Sequence, residues 1–302
     1  MLRLVAICLL FGTLYSCSYS EAGQEREDRL LIEPAAVQPE SLLSSGNTYL
    51  FRENHEAQNA LVNRIAAPET YQRVELEAKS FGEWLRFIPL KPGKPEVMLY
   101  NGQAKSYQGA HYAVIDIDAG TADLQQCADA VMRLRGEYLY SSGLHSQIHF
   151  NYTSGDEVSF AKWASGMRPV VTGNKVSWKK AAAADSSYPS FRKYMNNIFM
   201  YAGTLSLCKE LKKAGSPSDI MPGDVFIVGG SPGHAVMVMD VAQNGKGEKV
   251  FLLAQSYMPA QDMHILVNPN NASLSPWYAV SEISEHLVTP EWTFGSKQLM
   301  RF

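Results

Sequence analysis

The chain has 302 residues, of which 46% are hydrophobic and 19% are charged, and its formal net charge at pH 7 is -3. Length and apolar content are sufficient for one sizeable α/β or α+β domain. The small negative charge and the lack of a long basic run argue against a nucleic-acid-binding protein, so nucleic acid is not expected as a partner.

The N-terminus has the pattern of an export signal. Arg3 precedes an apolar run from Leu4 to Leu14, which is shorter than the roughly 20 residues of a membrane-spanning helix. The following Leu-Tyr-Ser-Cys resembles the lipobox of bacterial lipoproteins. That resemblance implies removal of residues 1–16 and attachment of lipid, including palmitate, to Cys17. An ordinary secretory signal with an incidental cysteine is the alternative.

The expected mature chain has two parts. Residues 17–47 are polar and contain proline, which predicts a flexible tether behind the lipidated cysteine. Residues 48–302 are expected to form a single α+β domain, in which Cys127 and Cys208 are the only cysteines. An exported protein can join two such cysteines in a disulfide. A bridge of that kind would exclude a catalytic role for either thiol.

The first predicted elements precede residue 120. Ser80–Phe87 has the pattern of a short helix that ends before Pro89. Glu96–Tyr100 and Gln108–Asp118 have the pattern of strands, and Asn101-Gly102 after the first is a hairpin signal.

The strongest helical pattern begins near Asp123. Thr121 and Asp123 are start signals, and Asp123 with Gln126 resembles a capping box, so Cys127 is expected at the end of the first turn. Gly143 is expected to close the helix. The apolar face is predicted to contain Leu124, Cys127, Ala128, Val131, Leu134, Tyr138 and Leu139. The solvated flank is predicted to contain Asp129, Arg133, Arg135 and Glu137.

The rest of the chain predicts short strands around 147–152 and a second helix from Tyr188 or Pro189 to Lys213. The segment Gly223–Ala242 then predicts two strands joined by a Gly/Pro turn, with His234 opening the second strand. A hairpin turn follows at Asn244-Gly245.

Hairpin geometry places two polar side chains near His234. If the turn centres between residues 245 and 246, His234 faces a position near Tyr257, and Gln255 lies diagonally on the same face. Gln255 is therefore the expected partner of the imidazole, with Ser256 as the alternative if the register shifts by one residue. A helix N-terminus and a nearby imidazolium lower a thiol pKa, so Cys127 is expected to be an activated nucleophile.

The arrangement of a helix with a leading cysteine, intervening helices and GDVFIV...GHAVMVMD resembles the papain-like cell-wall amidases and endopeptidases of bacteria. The resemblance implies a papain-like core in which a helix carrying the cysteine packs on an antiparallel sheet. It also implies that Cys127 is the nucleophile, His234 the general base and Gln255 the residue that orients the imidazole.

A second resemblance is more specific. The runs DLQQCADAVMRLRGEYLY, GDVFIVGGSPGHAVMVMD, LLAQSYMPAQ and TPEWTF resemble an uncharacterised family of bacterial lipoproteins, DUF4846, over about residues 48–302. This resemblance implies an envelope lipoprotein and no established activity.

Three other patterns suggest competing chemistry. Ser231 lies in a G-x-S-x-G sequence, but a strand instead of a helix is predicted to follow it, which disfavours an esterase. His145 and His149 lack a carboxylate cluster that would complete a zinc site. Asp116 and Asp118 lie at one strand end without a further acidic partner for glycoside hydrolysis.

The sequence therefore predicts a cysteine amidase or endopeptidase that acts on peptide or peptidoglycan amide bonds in the bacterial cell envelope. Lipid at Cys17 would anchor it to a membrane, at the outer membrane or cell surface. Arg168, Tyr257 and Trp163 are the expected substrate-binding residues, and no metal or cofactor is expected. The rival function is a non-catalytic lipoprotein that binds a peptide or a protein partner.

Overall fold

A computed structural model describes residues 43–52 and 54–302. The predicted signal peptide, the lipidation site at Cys17 and the tether up to residue 42 lie outside the described residues. The helices are α1 (Leu61–Arg64), α2 (Phe81–Arg86), α3 (Cys127–Ser141), α4 (Phe160–Ala164), α5 (Tyr188–Tyr201) and α6 (Thr204–Glu210). No helix in this part of the chain is long and apolar enough to cross a membrane.

The strands are short except in the centre of the fold. They are β1 (Tyr71–Arg73), β2 (His111–Val114), β3 (His149–Asn151), β4 (Glu157–Ser159), β5 (Met167–Thr172), β6 (Lys175–Lys180), β7 (Lys212–Lys213), β8 (Val225–Val228), β9 (His234–Asn244), β10 (Lys249–Gln255), β11 (His264–Leu266), β12 (Tyr278–Ala279), β13 (His286–Val288), β14 (Thr293–Gly295) and β15 (Leu299–Arg301).

Nine of these strands form the main sheet, whose order is β2-β11-β10-β9-β8-β15-β7, with β1 paired to β9 and β12 to β10. All its pairings are antiparallel. The pairs β3–β4, β5–β6 and β13–β14 form separate two-stranded sheets. Helices and an antiparallel sheet make the chain an α+β protein, as the sequence predicted.

The central strand β9 is buried on both faces. Ala235, Met237 and Met239 pack in the larger core cluster, which contains the apolar residues of α2, α3 and α5. Val236 and Val238 pack in a second cluster on the other side. Because side chains alternate between the faces of a strand, a strand that is covered on both sides has a continuous apolar sequence instead of an alternating one.

The register of β9 and β10 contains one irregularity. Near the turn, Gln243 pairs with Lys249, and a shift between Leu252 and Leu253 then pairs Leu253 with Val238. The centre of the turn therefore lies half a residue further along the chain than the sequence predicts. The bulge compensates for that difference, so the register beyond it is the one that brings Gln255 to the His234 end of the sheet.

Helix α3 begins later than the sequence predicts. Cys127 is its first residue and Gln126 is the N-cap, whose backbone N–H donates to Asp129 Oδ2 over 3.1 Å. The capping function of Asp123 was therefore a wrong prediction. Asp123 Oδ1 instead accepts hydrogen bonds from the Ala260 backbone N–H (2.6 Å) and from Gln126 Nε2 (3.0 Å).

The predicted solvated flank of α3 is also wrong. Asp129, Arg133 and Glu137 are only 6%, 0% and 1% exposed. Arg133 Nε donates to Glu137 Oε1 over 2.6 Å, and the hydroxyl of Tyr188 on α5 donates to the same oxygen over 2.9 Å. The helical spacing placed these residues on the solvent side, but Tyr188 of α5 contacts Glu137, and the pairing of Arg133 with Glu137 makes the burial of these two residues tolerable.

Two further predictions differ from the structure. The predicted helix up to Lys213 is divided at Ala202 and Gly203 into α5 and α6. Glu96–Tyr100 is not a strand and contributes isolated bridges only, such as the one between Met98 and Ala104. The C-terminal segment supplies β12–β15, and its Trp292 lines the cleft described below.

Candidate active site

Cys127 and His234 line the same open cleft. The first turn of α3 forms one wall and the junction between α5 and α6 forms another. The β8–β9 turn, the segment after β10 and Trp292 complete it. The lining residues are Asp123, Leu124, Gln126, Cys127, Ala128, Asp129, Phe199, Ala202, Gly203, Thr204, Gly230, Ser231, Pro232, Gly233, His234, Tyr257, Met258 and Trp292.

The imidazole of His234 is held by one hydrogen bond and three aromatic rings. Its Nε2 lies 2.9 Å from Gln255 Oε1. The ring centroid lies 4.8 Å from that of Tyr257, 5.3 Å from that of Trp292 and 5.8 Å from that of Phe294. These contacts leave the ring little freedom to turn, and His234 is only 1% exposed.

The orientation of the Gln255 amide fixes the tautomer of His234. Gln255 Nε2 donates to Glu291 Oε2 over 2.7 Å and lies 3.4 Å from His264 Nε2. Since His264 Nδ1 faces the Asp262 carbonyl at 2.9 Å, the proton of His264 is on Nδ1 and its Nε2 is an acceptor. The amide nitrogen of Gln255 thus has two acceptors, so its oxygen faces His234. His234 therefore carries its proton on Nε2, which leaves Nδ1 as the basic nitrogen.

An ion pair holds the far end of this relay, the hydrogen-bonded series of His234, Gln255 and Glu291. Glu291 Oε2 accepts from Lys105 Nζ over 2.5 Å, and the two side chains are 14% and 8% exposed. Sequence reasoning missed Lys105, His264 and Glu291, because none of them belongs to a recognisable local pattern. Glu291 does lie in the TPEWTF run, which carried the family resemblance but no functional prediction.

Burial sets the resting protonation states of the two central groups. It raises the pKa of Cys127 to about 11, although the backbone amide of Ala235 favours the thiolate. It lowers the pKa of His234 to about 4, although the hydrogen bond to Gln255 favours the charged ring. Desolvation of Cys127 therefore opposes the lowering of the thiol pKa that the sequence predicts for the start of a helix.

Neither described cysteine is bridged: Cys127 and Cys208 are both free thiols. Among the hydrogen bonds of residues 43–52 and 54–302, none joins the Cys127 thiol to the His234 ring. The described site therefore has a free thiol and an imidazole in one cleft without a direct hydrogen bond between them.

The expected substrate-binding residues separate into two places. Tyr257 lies in the cleft, against His234. Arg168 and Trp163 are absent from the cleft lining, and the guanidinium carbon of Arg168 instead lies 3.9 Å from the centroid of the Trp163 ring. Arg168 is on β5, which forms a separate two-stranded sheet with β6. Sequence patterns could not show where this hairpin lies relative to the cleft.

The competing patterns have other structural roles. Ser231 lies in the turn before β9 and no helix follows it, as expected from the sequence. The rings of His145 and His149 contact backbone carbonyls of Tyr140 and Gln147, respectively.

Asp118 has cationic neighbours instead of an acidic one. It pairs with Arg133 over 3.0 Å and with Arg192 over 3.4 Å. Although its partial burial opposes ionisation, these two cations lower the pKa of Asp118.

Comparison with known families gives one match. The family model described as domain of unknown function (4846) covers residues 61–301. The chain belongs to this family. No curated protein and no solved structure matches it. The predicted membership of DUF4846 is thereby confirmed, and this match carries no information on the chemistry of the site.

Proposed function

We propose that this protein hydrolyses amide bonds with Cys127 as nucleophile and His234 as general base, in a papain-like core. One observation carries the proposal: Gln255, itself oriented by Glu291 and His264, engages Nε2 of His234. The basic Nδ1 is thereby left available in a cleft that Cys127 also lines. An imidazole with a fixed tautomer beside a thiol is what nucleophilic catalysis by cysteine requires.

The reaction would begin with transfer of the Cys127 proton to His234 Nδ1. Burial disfavours each charge alone, but this transfer creates thiolate and imidazolium together, so that each offsets the desolvation of the other. The thiolate attacks the carbonyl carbon, and the imidazolium donates its proton to the leaving amine, which breaks the C–N bond. Water then hydrolyses the thioester, which releases the acid and restores the thiol.

The start of α3 would stabilise the negative charge that develops on the carbonyl oxygen. The first intrahelical hydrogen bond runs from Ala130 N–H to the Gln126 carbonyl. The backbone N–H groups of Cys127 and Ala128 therefore have no acceptor within the helix, and they lie at its positive end. Donors placed there in advance are the usual source of oxyanion stabilisation.

The proposed substrates are peptides of the bacterial cell envelope, with peptidoglycan stem peptides as the leading candidates. This location rests on the export signal and on the lipobox ending at Cys17. Lipid at Cys17 would keep the catalytic domain at the membrane surface, at the outer membrane or the cell surface.

A non-catalytic peptide-binding lipoprotein is the second candidate function. Three specific observations favour it: the raised pKa of Cys127, the lowered pKa of His234 and the lack of a thiol–imidazole hydrogen bond in the described chain. In that case Gln255 and its partners would only stabilise a buried histidine, and the cleft would bind a peptide without cleaving it.

The pH dependence of Cys127 alkylation by iodoacetamide distinguishes the two functions. The full chain is labelled between pH 5 and 11, and mass spectrometry resolves the sites, with Cys208 as internal control. His234→Ala removes the proposed base, and His111→Ala is a matched control, since His111 is also buried but lies outside the cleft.

Hydrolysis predicts labelling of Cys127 with an inflection well below pH 8, which is lost in His234→Ala and retained in His111→Ala. An inflection near pH 11 that His234→Ala does not change would refute the ion pair and leave the binding function. If the first result is obtained, peptidoglycan fragments should be cleaved by the native protein and not by Cys127→Ala.

A further inference from the structure

The charged groups of the cleft have a single sign. Its lining contains two carboxylates, Asp123 and Asp129, and neither lysine nor arginine is present among the described residues that line it. A cleft with this lining attracts cations and repels anions. The two carboxylates, however, differ in how many partners they already have.

Asp123 is exposed and already engaged. Its Oδ1 accepts hydrogen bonds from the Ala260 backbone N–H (2.6 Å) and from Gln126 Nε2 (3.0 Å). Its position stabilises the loop before α3 against the segment after β10. Water also surrounds this carboxylate, so its attraction for a ligand is screened.

Asp129 is buried and incompletely paired. The residue is 6% exposed, and its Oδ2 accepts a hydrogen bond from the Gln126 backbone N–H over 3.1 Å. Its Oδ1 is buried without a hydrogen-bond partner. A buried polar atom without a partner is costly, so the site would gain from a ligand that donates to it. Burial also raises the pKa of Asp129 to about 8, so near pH 7 the group is mostly protonated until a cation lies beside it, and an ammonium that binds there would displace this proton.

We propose that Asp129 binds a primary ammonium group of the substrate, so that the cleft selects peptides with a free N-terminal amine. This inference rests on the proposed function because it takes the cleft of Cys127 as the substrate site. A primary ammonium has three N–H donors and a positive charge. It therefore supplies both the hydrogen bond and the charge that Asp129 lacks.

The position of Asp129 limits how far the ammonium lies from the bond that is cleaved. Cys127 and Asp129 are the first and third residues of α3. Side chains two apart in a helix do not face each other, but both of these residues line the cleft, and their Cα atoms are only about 5–6 Å apart. Since an extended residue spans about 3.5 Å, the ammonium belongs to the first or second residue before the cleaved amide. The substrate class is thus a short peptide or a peptide N-terminus, cleaved close to its amine.

Calorimetric binding of two matched peptides to the full-length Cys127→Ala protein tests the proposal without requiring catalysis. The probes are L-alanyl-L-alanine amide and its N-acetyl derivative, which differ in the ammonium group alone. The free amine is expected to bind at least tenfold more tightly. In Cys127→Ala/Asp129→Asn this preference falls to less than twofold, because asparagine can still accept from Gln126 but has no charge. The matched control Cys127→Ala/Asp123→Asn keeps most of the preference.

A third probe needs no change at Asp129. The N,N,N-trimethyl derivative of the free peptide keeps the positive charge but has no N–H donor, and it should bind at least fivefold more weakly than the primary amine. Equal binding of free and acetylated peptides, including no binding of either, overturns the proposal, as does a preference that survives Asp129→Asn. If the alkylation experiment shows an inert thiol while the preference is found, hydrolysis fails and the ammonium site stands. If instead the thiol is activated and the preference for the free amine is absent, the ammonium site fails and the proposed hydrolysis stands.

Discussion

Replacing Gln255 with methionine tests whether one amide orients the imidazole. Methionine has a similar volume but neither accepts from His234 nor donates to Glu291. In the native protein these two bonds are 2.9 Å and 2.7 Å long, and Gln255 is 2% exposed, so water cannot replace them freely. The substitution therefore removes two hydrogen bonds from a closed network while leaving the packing of β10 nearly unchanged.

The expected cost follows from the two groups that lose a partner. Leaving the buried Nε2–H of His234 unsatisfied costs about 1–3 kcal/mol, and losing a hydrogen bond to the charged Glu291 costs about 1.5–3 kcal/mol. Glu291 keeps its ion pair with Lys105, and methionine adds apolar contacts, both of which reduce the sum. We expect the free energy of unfolding, measured with urea, to fall by about 3 kcal/mol.

Gln261→Met is the matched control. Gln261 is 1% exposed, yet its amide nitrogen has no hydrogen-bond partner, so replacing it should change the free energy of unfolding by less than about 1 kcal/mol. Alkylation of Cys127 provides a second readout, since any inflection below pH 8 should disappear in Gln255→Met and persist in Gln261→Met. Equal destabilisation by the two substitutions, with unchanged alkylation in both, would refute the argument that Gln255 positions the imidazole.

The other two predictions concern pH and the turn before β9. Burial lowers the pKa of His234 to about 4 and of His264 to about 3, below the value near 6.5 of an unfolded histidine. The unfolded chain therefore binds more protons, and the histidines should reduce stability as pH falls from 6.5 towards 4, by up to about 1.4 kcal/mol per pH unit each. Urea unfolding should show a shallower dependence in His264→Asn, and an unchanged slope would contradict the assignment. Gly233→Ala should destabilise by at least about 2 kcal/mol, since its Cβ would lie 2.5 Å from Thr204 Oγ1 and 2.7 Å from the Val228 carbonyl oxygen and would also clash with the Gly230 carbonyl oxygen. Gly245→Ala, whose Cβ meets nothing within 4 Å, should be nearly neutral, so a similar loss in both variants would argue against this close packing.

Local patterns predicted much of the frame that holds the site. The pattern of Ser80–Phe87 predicted α2, which Ser80 caps by accepting a hydrogen bond from the Glu83 N–H over 3.2 Å. The apolar spacing after residue 124 predicted α3 but misplaced its start, because Asp123 and Asp129 are both possible capping partners and sequence does not choose between them. The hairpin of β9 and β10 brought Gln255 beside His234 in the predicted way only because a bulge compensated for the displaced turn.

The pairing of His234 with Gln255 depends on residues 21 positions apart on adjacent strands, and alternation along a hairpin is enough to suggest it. The remaining relay joins Gln255 to Glu291 across 36 positions and Lys105 to Glu291 across 186. No periodicity links such positions, because their proximity depends on how β2 and β11 pair within the sheet and on how the C-terminal segment packs against it. Burial likewise depends on neighbours from other elements. The sequence by itself determined that Cys127 belongs to a helix and that His234 and Gln255 lie on paired strands of one hairpin. Only the tertiary structure decided that Cys127 is desolvated, that Asp129 is buried with a free oxygen, and which groups fix the imidazole, because desolvation and long-range contacts are properties of the packed chain.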